Sequence, residues 1–299
     1  MKSMMKHVVE LLVAVAILCS AGVVQAEELR VAAYNVENMF DVFDDPYTAD
    51  EGTDVKFREE LEQIAGTVRV LNADVIVFDE VENEFVLKAL IKEFLPDMGY
   101  EYVSAIRSND GRGIRNGVIS RKPIVKATSY KWRRFKCPGF DKTYRFSRDL
   151  MHVTIQATDD KVMEIFGVHL KSKRDSAGDP ESAKRRLAEA LEARRILDEV
   201  MADQEDPWVV IAGDFNDTPE SKTMGAFFKN DGLIDMHKGL GKEARITYLN
   251  EPHLSTIDFV LASPALAAKK VKGSELVLHD KELNKASDHA PLAVTFDLD

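Results

Sequence analysis

Trp208-Val209-Val210-Ile211-Ala212-Gly213-Asp214-Phe215-Asn216-Asp217 is the stretch that decides how this chain is read. An uncharged apolar run delivers, straight after a glycine, a carboxylate and an amide two residues apart. Residues two apart in a strand point to one face, so Asp214 and Asn216 are placed to reach a common point. The plainer alternative is a strand end with turn residues, because Gly, Asp and Asn all favour turns. Company elsewhere in the chain separates the two.

That company consists of further islands of acid, amide or imidazole groups at the ends of apolar strands. They are Tyr34-Asn35-Val36-Glu37-Asn38, Asp79-Glu80-Val81-Glu82-Asn83, His169 within Gly167–Lys173, and Ser287-Asp288-His289 before the last strand. Ile257-Asp258-Phe259 adds an acid inside an apolar strand, where it must find a partner. Singly each is weak: a lone strand-end Glu is usually a solvated rim residue, and a lone His usually a satisfied surface or core residue.

Around the islands, Leu29–Asn35, Asp74–Phe78, Val118–Ser120, Met151–Thr158, Val162–Leu170, Val209–Ala212, Ile257–Leu261 and Leu292–Leu298 read as strands. The pair flanking Asp159-Asp160 reads as a hairpin. Leu61, Ile64, Val68 and Leu71 recur at helical spacing, and Phe85–Leu95 looks helical. Glu181–Met201 reads as a long amphipathic helix with Leu187, Leu191, Leu197 and Met201 on or near one face, and with Arg185-Arg186 and Arg194-Arg195 outside. Thr218-Pro219-Glu220 has the form of a helix start. No repeat, low-complexity tract or linker interrupts this pattern, so one α/β domain is expected over residues 27–299.

Residues 1–26 join a basic start to a short apolar core and small residues near Val24-Gln25-Ala26, the pattern of a signal peptide cleaved after Ala26. A periplasmic or extracellular location follows as an expectation. No later segment is long and apolar enough to span a bilayer, so no stable membrane insertion is expected. Cleavage leaves Cys137 as the single cysteine and excludes an intramolecular disulfide. The net charge of −11 argues against tight non-specific binding of nucleic acid, which relies on neutralising phosphates. Patches run against that total: Lys131, Arg133, Arg134 and Lys136 surround Trp132 and Phe135, and Arg112 and Arg115 share a glycine-containing loop. Trp132 is read as packing on the domain, with stacking on a base as the alternative.

Taken together, and in this order, the islands resemble the endonuclease/exonuclease/phosphatase superfamily, which includes pancreatic-type deoxyribonucleases, abasic-site endonucleases, neutral sphingomyelinases and inositol-polyphosphate phosphatases. The resemblance runs from Leu29 to Phe296 and is similar to secreted bacterial members around Lys171-Ser172-Lys173. It implies a four-layer α/β sandwich of two mixed β-sheets packed face to face, with helices outside. Asn35 then matches a residue that orients the phosphate or the groups around it. Glu80 matches the acidic metal ligand, with Glu37 and Asp288 as further carboxylates. Hard oxygen ligands suit Mg²⁺, with Mn²⁺ or Ca²⁺ as substitutes. Asp214 matches the acid that orients or deprotonates the attacking water, and Asn216 an amide that hydrogen-bonds the phosphate. His289 matches the histidine near the scissile phosphate and Asp258 the carboxylate that orients it, while His169 matches a second histidine of deoxyribonuclease- and sphingomyelinase-like members.

Arg115 and Lys173 are expected to contact substrate, and Arg148 to pair with an internal acid. Two positions depart from the pattern: Asp79 stands where many members carry Gln, and Ser255-Thr256 stand where Arg is common. The resemblance implies a monomeric, divalent-metal-dependent hydrolase of phosphate esters, with DNA or RNA as the leading substrate. A phosphatase or phosphodiesterase for small, lipid or sugar phosphates is the runner-up, and a non-catalytic binding protein of the same fold the remote alternative.

Overall fold

Alternation along the strands sends every second side chain to one face and the rest to the other, and in this chain both faces of each sheet are apolar. The computed structural model describes residues 27–229 and 232–299; the expected signal peptide lies outside the described residues. In chain order the elements are β1 (Glu28–Met39), α1 (Arg58–Leu71), β2 (Val75–Val81), α2 (Glu84–Phe94), β3 (Tyr102–Ser104), β4 (Arg115–Ser120), β5 (Ile124–Ser129), β6 (Phe135–Lys136), β7 (Thr143–Tyr144) and β8 (Leu150–Gln156). There follow β9 (Val162–His169), α3 (Ala183–Ala202), β10 (Val209–Asp214), α4 (Lys222–Phe228), β11 (Ile234–Asp235), β12 (Asp258–Ala262), α5 (Pro264–Ala267), β13 (Leu276–Val277) and β14 (Leu292–Asp297).

Two six-stranded sheets result, ordered β13-β14-β1-β2-β4-β3 and β11-β12-β10-β9-β8-β5. Both are mixed, since β1 runs parallel to β2 and antiparallel to β14, as β10 does to β9 and β12. Leu29, Val31 and Ala33 of β1 meet Val210 and Ala212 of β10, Val260 of β12 and Phe296 of β14 in a core between the sheets. The alternate residues Ala32, Tyr34 and Val36 turn outward to a second core with Ile64, Val68 and Leu71 of α1 and Leu87 and Leu90 of α2. On the far side, Val209, Ile211 and Phe259 pack against Ala190, Ala193, Ile196 and Leu197 of α3. The layers are therefore helix, sheet, sheet, helix, the four-layer sandwich that the resemblance implies.

The hairpin about Asp159-Asp160 forms between β8 and β9, with Gln156 opposite Val162. Other local expectations need correcting. The long helix starts at Ala183 rather than Glu181, after a 3₁₀ turn whose Glu181 and Ser182 hold positive φ angles of 52° and 48°. Leu191 lies outside its packed face, 51% exposed, while Arg186 and Glu189 are buried, because these two carry hydrogen bonds that hold the site loops. The next helix begins past Thr218-Pro219-Glu220: Ser221 is the cap, its hydroxyl accepting the Met224 N–H at 3.1 Å.

Phe296 is fully buried between the sheets, so Phe296→Ala removes contacts from both. Urea unfolding of that variant is expected to show a loss of about 3–5 kcal/mol through a lowered midpoint at unchanged slope.

Candidate active site

The same alternation that builds the inter-sheet core continues past its last apolar residues. Asn35 follows Ala33 by two, Asp79 follows Val77, and Asp214 follows Ala212, so all three turn into the gap between the sheets. Register sets their neighbours. Asp214 pairs with His169 on β9 and with Asp258 on β12, and Asn35 pairs with Asp79. The central strands of both sheets thus end at one level, and their polar ends line one cleft of about 320 Å³. Asn35, Glu37, Glu80, His169, Asp214, Asn216, Asp288 and His289 line it.

Glu37 and Glu80 reach the cleft by breaking the strand pattern. The β1–β2 and β2–β4 registers shift between Asn35 and Met39 and between Phe78 and Val81. Glu37, Asn38, Glu80 and Asn216 all hold positive φ, at 49°, 57°, 65° and 53°. For non-glycine residues this costs of order 1–3 kcal/mol each and persists where surrounding contacts enforce it. The bulges re-aim side chains that strict alternation would point elsewhere.

Hydrogen bonds hold the site across the sheets. Gly213 has a φ of 133°, which turns the Asp214 N–H to Asp79 Oδ2 at 2.7 Å. Asp214 Oδ2 accepts from the Asn35 side chain at 3.3 Å and from the Asn216 side chain at 3.1 Å, and His169 Nε2 is 3.5 Å away. Asn216 also donates its side-chain amide to Leu170 O and its backbone N–H to Asp214 Oδ1. Its side-chain amide is thus engaged with the protein, so in this geometry it fixes the carboxylate instead of offering a free donor to phosphate. Nδ1 of His289 donates to Asp258 Oδ2 at 2.8 Å, while the Ser287 hydroxyl accepts the His289 N–H and donates to Asn35 O.

Charge follows from burial. Asp79 is fully buried and is raised well above the ordinary carboxylate range, first by desolvation and then by the charge of Asp214. Both effects favour the neutral carboxyl form over the charged one. Burial and the charge of Asp258 also raise Asp214, to about 7. Desolvation pushes His169 well below its usual value, with Arg148 adding to the effect, so it is neutral. For His289 burial acts downward, but the charge and hydrogen bond of Asp258 outweigh it and hold the imidazole well above its usual value. His289 is therefore an imidazolium facing Asp214.

Glu37, Glu80 and Asp288 offer hard oxygen donors. Burial and the charge of Asp288 raise Glu37, and burial raises Asp288, with Glu80 adding to it. The Glu37 side chain accepts the Asp288 N–H at 2.9 Å, and the Glu80 side chain accepts the Asn38 N–H at 3.1 Å. Among the described residues neither Lys nor Arg forms an ion pair with these carboxylates, so a divalent cation fits the donor set and supplies the charge it lacks. Ligand atoms of Asp214, Asp258 and His289 also lie within 4.8 Å of one another. His289 Nδ1 is committed to Asp258, however, and a protonated imidazole cannot ligate a cation.

The cationic wall differs from the expected one. Arg115 begins β4 half-buried, Lys173 points to Asp217 at 3.8 Å, and neither lines the cleft. Arg112, Arg148, Lys171 and Arg174 do. Arg112 donates to Asn38 Oδ1 at 2.9 Å. Arg148 pairs with Asp110 at 3.3 Å, as expected of an internal ion pair, yet also faces the cleft. Buried Glu189, unmarked in the sequence reading, accepts the N–H groups of both Ser147 and Lys171 at 2.8 Å and so sets the neighbours of Arg148 and the position of Lys171. Its only sequence signal is an acid on the packed face of a helix. Arg186, expected outside, is buried and pairs with Asp217 at 3.1 Å.

Residues 30–286 match the model of the Endonuclease/Exonuclease/phosphatase family. The chain belongs to that family. Its members are phosphoric ester hydrolases that depend on divalent metals. A search of curated protein sequences finds no match. Among solved structures, the chain resembles the human Nocturnin catalytic domain with bound sulfate, at 16% identity and a TM-score of 0.63, covering 91% of this chain and 95% of that one. A family protein from Bacteroides thetaiotaomicron aligns at 20% identity and 0.63, covering 92% and 100%. D. rerio TDP2 complexed with single strand DNA product aligns at 14% and 0.60, covering 90% and 98%. At these identities the likeness is one of fold.

At Gly213 a side chain would meet Val168 O at 2.2 Å and Asp79 Oδ2 at 2.6 Å. Gly213→Ala is expected to destabilise the protein by about 2–3 kcal/mol through overpacking and strain, read as a lowered denaturant midpoint. An unchanged midpoint would show that the Asp79–Asp214 contact is not held as described.

Proposed function

We propose that the protein is a secreted, divalent-metal-dependent phosphodiesterase acting on nucleic acid. The observation that carries this reading is the gathering of cationic and acidic groups in one cleft. An Asp258-held imidazolium, Asp214, four cations and the carboxylates Glu37, Glu80 and Asp288 all line it. Such a cleft suits an anion whose charge must be stabilised as it shifts during attack.

Glu80, with Glu37 and Asp288, would hold Mg²⁺, or Mn²⁺ or Ca²⁺ in its place, and the bound cation neutralises phosphate charge as a Lewis acid. The other steps belong to the chain. Arg112, Arg148, Lys171 and Arg174 draw the phosphate oxygens into the cleft. Asp214, aligned by Asn35 and Asn216, takes a proton from the attacking water at its carboxylate. The His289 imidazolium, oriented by Asp258, donates a hydrogen bond to a phosphate oxygen, and neutral His169 adds a second donor. The family assignment and the single strand DNA product bound by the fish neighbour support nucleic acid as substrate. The expected signal peptide supports export.

One observation favours a second reading, a phosphate carrying an apolar group. A depression sharing Glu37, Asn38 and Arg112 with the cleft is lined by Phe57, and Phe43 and Phe57 are exposed on the neighbouring loop. A panel of phosphomonoesters and phospholipids separates it from nucleic acid.

With Mg²⁺ the purified protein is expected to cleave single- or double-stranded DNA or RNA, and EDTA to abolish this. Asp214→Asn and His289→Ala are each expected to lower kcat by about 10²–10⁴-fold, the usual range for acid–base groups, without loss of folding. No cleavage across Mg²⁺, Mn²⁺ and Ca²⁺ would overturn the reading. The pH profile of kcat/KM should be a bell. Its acid limb rises through about 7 as Asp214 loses its proton, and its alkaline limb falls where His289 loses its own, above the ordinary histidine range. In His289→Gln the alkaline limb should vanish.

A further inference from the structure

Between β5 and β8 the chain leaves the sheet as an arm that the catalytic reading does not use. Residues 131–145 carry six cations, Lys131, Arg133, Arg134, Lys136, Lys142 and Arg145, against a single acid, Asp141. That density runs against a net charge of −11 for the whole chain. Arg133 is ion-paired, to Glu192 and Glu199 on α3; among the described residues the other five make no ion pair.

The arm is built, not loose. β6 pairs with β7, and Phe135 packs edge-on against Phe146 at 5.3 Å, both buried with Cys137. Asn109 Nδ2 donates to Lys131 O at 2.7 Å and to Phe146 O at 3.0 Å, fastening both ends of the arm to the loop beside the cleft. On this frame Trp132 is 65% exposed, contrary to the packed position read from sequence. The Arg145 guanidinium lies over its ring at 4.6 Å, and Lys142 lies over Tyr144 at 5.2 Å.

Next to Trp132 lies a depression of about 550 Å³ lined by Asn109, Arg134, Lys142, Tyr144, Arg145 and Ser147. Asp110 and Arg148, the next residues of the same two segments, line the catalytic cleft. The Asn109 N–H to Arg148 O contact, 3.4 Å long, ties these segments together, so the depression continues the cleft across one strip of chain.

We propose that this arm is a binding surface for single-stranded nucleic acid, continuing from the catalytic cleft. A base stacks on Trp132, and Arg134, Lys142 and Arg145 hold backbone phosphates. The inference rests on the reading of the substrate as nucleic acid. Exposed aromatic rings flanked by cations serve strands in this way because every unpaired base offers a π face, whereas a duplex hides its faces by stacking. The arrangement implies tolerance of sequence and strong dependence on salt.

Fluorescence anisotropy of a labelled oligothymidylate in EDTA tests the arm apart from catalysis. Trp132→Ala should raise Kd about tenfold, with Trp132→Phe restoring most of the affinity. The triple variant Arg134→Gln, Lys142→Gln, Arg145→Gln should shrink the slope of log K against log salt by about 2, at about 0.7 per lost phosphate contact. Circular dichroism checks that the folds match. Wild-type affinity and slope in both variants would overturn the arm, as would loss of binding only to anionic phospholipid vesicles. Oligonucleotide held through Trp132 but never cleaved with any metal would instead overturn the proposed function and leave the arm standing.

Discussion

The Asp214 N–H that crosses from one sheet to the side chain of Asp79 on the other is the contact around which the cleft is organised. It exists because Gly213 can hold a φ of 133° and because no side chain there blocks Asp79. Once made, it sets the height at which β10 ends against β1 and β2. The Asn35 amide then reaches Asp214, and His289, entering from the Asp288 side, reaches Asp258. A buried acid between two sheets is costly when charged, and burial shifts Asp79 toward its neutral form. The sheet-to-sheet core is apolar almost to its end, and this polar seam closes it.

The seam also sorts charge. Asp214 and Asp258 are buried close together, a placement that raises Asp214 and secures the proton of His289. Glu37, Glu80 and Asp288 line the same cleft, and among the described residues no lysine or arginine forms an ion pair with them, a donor set that a divalent cation would fit. Arg148 and Lys171 stand on segments held by α3, where Glu189 accepts two loop amides and Arg186 grips Asp217. Cationic and acidic groups thus share one cleft, with Arg112 and Arg148 both paired to Asp110 and His289 beside Asp288.

Much of this was legible in the chain. Apolar strands ending in Asn35, Asp79-Glu80, His169 and Asp214 announce a polar strand-end cluster, because alternation carries residues two apart to one face. The four layers came from a resemblance, since strand order and register leave no local mark. Bulges hid how Glu37 and Glu80 enter the cleft, as positive φ at a glutamate has no sequence signature. Arg115 and Lys173 are expected from the resemblance, which locates a segment but not which of its side chains enters the cleft. Hence neighbours such as Lys171 and Arg174, and the remote Arg148, line the cleft instead. Arg186 is expected on the outer helix face because charge normally stays outside, and Glu189 carries no mark in the sequence; only their tertiary partners reveal them.

The central claim is that Asp258 and His289 act on the phosphate as one unit. The direct test is a double-mutant cycle in kcat for hydrolysis of a phosphodiester, using Asp258→Asn, His289→Gln and the pair together. Residues acting as one unit are non-additive, so the double variant should lose no more than His289→Gln alone. Losses that multiply, as for independent residues, would contradict the account.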